Sequence, residues 1–147
     1  MTEPAQRTAL IAFGVLNLAI GLVMLLEPGY FFDHIGEYGI RNDHYLGDTG
    51  SFYVAGGIGL LIAARRSAWR LPVCVVAAIW YAIHAINHLF DIGQATSNGR
   101  GWSDTILIGL GAAALAYLAK VASDERAGSA DRPSPTSRRP SDYPPGD

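Results

Sequence analysis

His84, His88 and Asp91 stand at i, i+4 and i+7 in Trp80-Tyr81-Ala82-Ile83-His84-Ala85-Ile86-Asn87-His88-Leu89-Phe90-Asp91, the end of a long apolar run. On a helix turning 100° per residue they share one stripe with Ala77 and Tyr81, with Trp80 and Asn87 at its edge. Two neutral imidazoles and a carboxylate at this spacing can ligate a divalent transition metal. The same groups can instead form a hydrogen-bonded network between helices, or a path for protons or a substrate. The opposite face, with Val75, Ile79, Ala82, Ile86, Leu89 and Phe90, suits lipid. Ionisable groups inside a membrane span are costly and face a bundle interior, so the stripe marks a site without naming a reaction.

A second set lies earlier in the chain. If a helix starts near Asn42 rather than at Asp48, then His44, Asp48, Ser51, Ala55, Gly59 and Ile62 share a stripe. Either His44 or Asp48 could then complete a metal set with His84, His88 and Asp91. Gly47 and Gly50 weaken the early start, because glycine disfavours a continuous helix. Tyr81, Asn87 and Ser51 join the same polar cavity. Trp80 and Tyr81 read as packing or interfacial aromatics, and His34 as a solvated loop residue.

These residues need elements to position them. The chain has 147 residues, 50% hydrophobic and 16% charged, a balance that points to a membrane protein of one domain. Thr8 to Leu26 is an uncharged run of 19 residues, close to the ~20 that cross a bilayer. It is longer than a signal-peptide core of ~7–15 residues and lacks an A-x-A-like cleavage site, so it reads as an uncleaved span. Asn17 lies within it and is expected to hydrogen-bond to a neighbouring helix. Further spans are expected at about 44–64, 71–90 and 102–122. The first of these carries a small-residue ladder, Ala55, Gly59 and Ala63; the last carries Gly109, Ala112, Ala113 and Ala116, which also permit close helix packing. The expected fold is all-α: a four-transmembrane-helix bundle over residues 1–122.

From Ser123 the chain turns polar and holds five of its eight prolines, so residues 123–147 are expected to form a disordered cytoplasmic tail. Arg7, Arg65, Arg66, Arg70, Lys120 and Arg126 place both termini and the 65–70 turn in the cytoplasm by the positive-inside rule. All four histidines and Asp33, Asp43, Asp48 and Asp91 then fall at the outer end.

A net charge of −2 argues against nucleic-acid binding. The single cysteine, Cys74, excludes an intrachain disulfide and reads as a packed residue. No phosphate-binding loop, Gly-x-Ser-x-Gly elbow or His-Glu-x-x-His helix is present, and no catalytic residue is assigned. Chain length, four short spans, the Arg65-Arg66 turn and Val54-Ala55-Gly56-Gly57-Ile58-Gly59 resemble the DoxX/DoxD-like group of small bacterial four-span membrane proteins. That resemblance covers about residues 8–122 and implies a subunit of an envelope redox or quinone-linked complex.

The reading is therefore a multi-pass protein of a bacterial plasma membrane, an accessory or scaffold subunit with a His/Asp cavity at its outer face. Its expected partners are the lipid bilayer and another membrane or envelope protein or a second copy of itself. The alternatives are a metal- or quinone-linked redox subunit using His84, His88 and Asp91, and a small oligomeric transporter.

Overall fold

The computed structural model describes residues 1–130. Five α-helices follow in order: α1 (Glu3–Leu26), α2 (Pro28–His34), α3 (Asp43–Arg65), α4 (Ser67–Phe90) and α5 (Asn98–Ala130), with a 3₁₀ turn at Ile92–Gln94. All but α2 are long and apolar enough to cross a membrane. The fold is all-α with four spans, and the protein is a small multi-pass membrane protein.

The early start of the second span holds. Asn42 caps α3, its side chain accepting hydrogen bonds from the backbone N–H groups of His44 and Tyr45. Gly47 and Gly50 weaken the helix by about 1 kcal/mol each relative to alanine; close packing on α1 offsets this at Gly50, whereas Gly47 has nothing within 4 Å of its Cβ position. Gly50 and Gly57 of α3 face Gly21 and Gly14 of α1 in antiparallel register. A Cβ on Gly21 would lie 2.7 Å from the Gly50 carbonyl oxygen, and one on Gly57 would lie 2.8 Å from that of Gly14. Backbone therefore meets backbone at two points seven residues apart on each helix. The expected ladder is displaced by this arrangement: Ala55 is exposed and Gly59 half-buried, although Ala63 is fully buried.

The second close pair is α4 with α5. Here Gly111, rather than the expected Gly109, admits the neighbour: its missing Cβ leaves room for the Tyr81 ring, 2.8 Å away. The α1/α3 and α4/α5 pairs meet around Leu10, Leu60, Ala77, Tyr81, Leu115 and Leu118. Helices α1 and α4 run parallel and exchange two buried hydrogen bonds at a constant offset of 64 residues. Tyr81 donates to Asn17 Oδ1 (3.1 Å), and Arg70 donates to Gln6 Oε1 (2.7 Å). Asn17 thus bonds across helices as expected, and its own amide donates to Phe13 O.

Arg70 corrects the expected turn over residues 65–70. The link between α3 and α4 is Arg66 alone, and Arg70 lies one turn inside α4 at 5% exposure. Besides Gln6, its guanidinium reaches Glu3 (3.2 Å), Glu125 (3.7 Å) and the Ala63 carbonyl at the C-terminal end of α3 (3.4 Å). One side chain thereby joins all four spans. Pro72 adds a second link. Lacking an N–H, it leaves the Ala68 carbonyl without its intrahelical donor, and Arg126 of α5 donates to that oxygen.

These contacts also explain why α5 does not stop at residue 122. It continues to Ala130, with Glu125 and Arg126 held against α4 and Asp124 paired with Lys120. The remainder of the expected tail lies outside the described residues.

Candidate functional site

At the end of the bundle that carries α2, the helices part around a cavity of 670 Å³. Its floor is the Tyr81–Asn17 hydrogen bond, with Phe13 set edge-on to the Tyr81 ring at 6.3 Å. Below that floor Leu10, Leu60 and Leu115 are completely buried and seal the way toward Arg70. Tyr81 precedes Phe90 by nine residues, so at 1.5 Å per residue the cavity reaches roughly 14 Å down, about half the hydrocarbon thickness.

One wall holds a chain of three polar side chains. The Tyr53 hydroxyl lies 3.3 Å from His84 Nδ1, and His84 Nε2 lies 2.9 Å from His88 Nε2. Helical spacing of i, i+4 brings the two imidazoles together, and Tyr53 approaches from α3, placed by the Gly50/Gly57 face it shares. Two proton arrangements satisfy these contacts. If Tyr53 donates to His84, then His84 donates to His88, and His88 Nδ1 carries a hydrogen. If His88 donates to His84, then His84 donates to Tyr53, and His88 Nδ1 presents a lone pair. That atom is buried and has no hydrogen-bond partner among the described residues. Shifting from one arrangement to the other moves a proton along the wall.

The remaining expected site residues divide into two groups. Tyr81, Asn87 and Asp91 line the cavity with the histidines. The Asp91 carboxylate is already engaged, accepting from Asn87 Nδ2 (3.2 Å) and Gln94 Nε2 (2.9 Å). His44, Asp48 and Ser51 stand elsewhere, on the exposed face of α3. His44 Nε2 and Asp48 Oδ2 are 3.7 Å apart with side chains 81% and 62% exposed, and Ser51 donates to its own Gly47 carbonyl. The α3 stripe exists, but the close packing of Gly50 and Gly57 on α1 turns it away from the histidines. Among the described residues no group of three or more His, Cys, Asp and Glu side chains is arranged to hold a metal ion.

Three residues of the site carry no signal in the span pattern. Residues 35–42 cross the mouth of the cavity as a strap. Arg100 donates to the Ile35 carbonyl and to Asp104 (3.1 Å), and Tyr38 donates to Asp104 Oδ2 (3.4 Å). The Tyr38 ring meets the His88 ring edge-on at 4.6 Å. Burial, and then the neighbouring Asp104 carboxylate, raises the Tyr38 hydroxyl above the ordinary phenol range. Gly39, at φ +60°, bends the strap so that its N–H reaches the Gln94 carbonyl (3.3 Å). Only the i, i+4 spacing of Arg100 and Asp104 hinted at this cluster.

Fold and site together define a four-span membrane protein with a one-sided cavity. Compared with protein-family models, curated proteins and solved structures, the chain matches none. The four spans that carried the DoxX/DoxD-like resemblance are present, and no family match accompanies them.

Proposed function

We propose that this protein is an accessory or scaffold subunit of an envelope complex in a bacterial plasma membrane, and that it receives a small organic ligand in its cavity. The observation that carries this reading is the Tyr53–His84–His88 chain set into the wall of a 670 Å³ space, a volume typical of sites for one small molecule. Hydrogen-bonding groups on an otherwise apolar lining fix a ligand's polar end and leave its body to burial. In the orientation that places Arg65, Arg66, Lys120 and Arg126 in the cytoplasm, the cavity faces outward and both termini face inward.

The test uses the full chain in lipid nanodiscs, with histidine rings labelled with nitrogen-15 and titrated with 1-naphthol. Saturable shifts of His84 and His88, with His34 and His44 unmoved, are expected. Equal movement of all four rings, or no saturation, would remove the cavity from consideration as a binding site.

The hydrogen-bond chain also favours a second reading, a quinone-linked redox subunit. A quinone head seated against His88 could receive protons through Tyr53 and His84 while a partner subunit supplies the electrons.

A further inference from the structure

The cavity is roofed but not walled on every side. Across its mouth the strap is fixed by Arg100 to Ile35, Tyr38 to Asp104 and Gly39 to Gln94. Between α1 and α5 there is no comparable closure among the described residues: α1 packs on α3 and α5 packs on α4. Below the floor these two helices converge. The Phe13 ring comes within 3.8 Å of where a Gly111 Cβ would stand, and Leu10 and Leu115 share the core. Above the floor, Leu16 and Ile20 of α1 and Leu107 and Ile108 of α5 line the cavity instead. Leu16 and Leu107 are also 51% and 65% exposed. A side chain that borders a cavity and also faces outside marks an opening. Leu16 lies ten residues before Leu26, roughly 15 Å below the helix end, so this opening meets acyl chains rather than water.

We propose that the occupant is a neutral, single-tailed amphiphilic lipid that enters sideways from the bilayer between α1 and α5. Its hydroxyl or carbonyl head meets His88, His84 and Tyr53, and its tail leaves past Leu16 and Leu107. This rests on the ligand-binding reading above and adds the route and the chemical class. The size of the cavity suits one slender molecule rather than a two-chain phospholipid. The charges select the head. Arg100 is spent on Asp104 and Ile35, and Asp91 on Asn87 and Gln94. An anionic head would meet two carboxylates and, among the described residues lining the cavity, no free cation. A cationic head would find Asp91 and Asp104 already partnered. Imidazole and phenol groups, in contrast, can donate to a carbonyl or accept from a hydroxyl.

The full chain is reconstituted in vesicles containing a monoacylglycerol with a photoreactive diazirine in its tail, and labelled peptides are mapped. Saturable labelling of the peptides bearing Leu16 and Leu107 is expected. Unlabelled monoacylglycerol should compete, and the double change Leu16→Trp/Leu107→Trp should lower labelling at least tenfold. Val76→Trp, on another exposed face of the bundle, should not change it. Saturable labelling that survives the double change overturns the lateral route and leaves the cavity reading intact. Stronger labelling by diazirine phosphatidylglycerol or by a diazirine long-chain amine overturns the neutral head. Uniform, unsaturable labelling of all bilayer-facing peptides overturns the proposal, and the naphthol titration then decides separately whether the cavity binds anything.

Discussion

Gly21 and Gly50 touch backbone to backbone, so that a Cβ on either would come within 3.0 Å of the other's carbonyl oxygen. Neither helix can yield there without opening the α1/α3 pair. Gly21→Ala and Gly50→Ala should each destabilise the bundle by about 1–3 kcal/mol, the usual range for overpacking. Gly47 is the internal control: nothing lies within 4 Å of its Cβ position, so Gly47→Ala should gain about 0.4–1 kcal/mol. Unfolding midpoints in mixed detergent micelles measure both. A Gly50→Ala protein as stable as the parent would show that the pair is looser than described.

Arg70 should tolerate substitution poorly. Arg70→Met removes hydrogen bonds to Gln6, Glu3 and Ala63 at once. Hydrogen bonds to a charged group are worth about 1.5–3 kcal/mol each, less where the partner is exposed as Glu3 is. A fall in thermal midpoint and weaker protection of the first turn of α1 in hydrogen exchange are expected. Arg70→Lys should not restore either, because a point charge cannot replace the planar fork. Full recovery by lysine would mean that charge alone matters at this position.

Truncation tests the docking of the C-terminal turns of α5. Removal of residues 131–147 should leave stability unchanged. Removal from Asp124 onward takes away Glu125 and Arg126, freeing Arg70 of one partner and the Ala68 carbonyl of its donor. A loss of about 0.5–1.5 kcal/mol is expected, and equal stability of the two truncated chains would argue against that docking.

His84→Ala and His88→Ala should each weaken 1-naphthol binding about tenfold or more while His44→Ala does nothing. Their stability cost should be small, since hydrogen bonds between membrane helices average ~0.6 kcal/mol and reach ~1.7. Metal analysis of protein purified without a metal-binding tag tests the other reading of the same pair. Stoichiometric metal lost on His84→Ala or His88→Ala, and retained less well in Asp91→Asn, would establish a metal centre and displace the organic ligand.

The strap gives a pH prediction. Tyr38 holds Asp104 as the neutral phenol, and its folded-state value is raised above the ordinary ~10. A raised value means that its contribution is complete below the unfolded value and is lost as pH climbs through the folded one. The strap should stay closed across neutral pH and loosen only in alkali above ~10. The difference in 295 nm absorbance titration between the parent and Tyr38→Phe should show that one late phenol. A Tyr38 step below ~10 would contradict the cause given for the shift.

Much of the bundle was legible from residue types. Apolar run length gave four spans, and the His84/His88 spacing gave a facing pair, because helical periodicity is local information. The register between helices was not legible. Which glycine stripe of α3 faces α1 depends on Gly14 and Gly21, far away in the chain, and that choice carried His44 and Asp48 away from His84. Arg70 was placed in a turn for a related reason. Beside Arg65 and Arg66 it groups with them by charge, and only Gln6, Glu3 and Glu125, converging from other helices, set it inside α4 as a buried link.

The constant offset of 64 residues between α1 and α4 bears on biosynthesis. Gln6 and Asn17 are synthesised 64 residues before Arg70 and Tyr81, the partners that bond them. Helices α1 and α3 can already close on their glycine contacts, but the mid-span Asn17 Oδ1 must wait without the Tyr81 hydroxyl until α4 arrives. The nascent chain therefore holds an incomplete half-bundle with an unmet polar group in lipid, a state that insertion factors could shelter and quality-control proteases could read. A delay in the arrival of α4 would prolong that state even when every span has inserted.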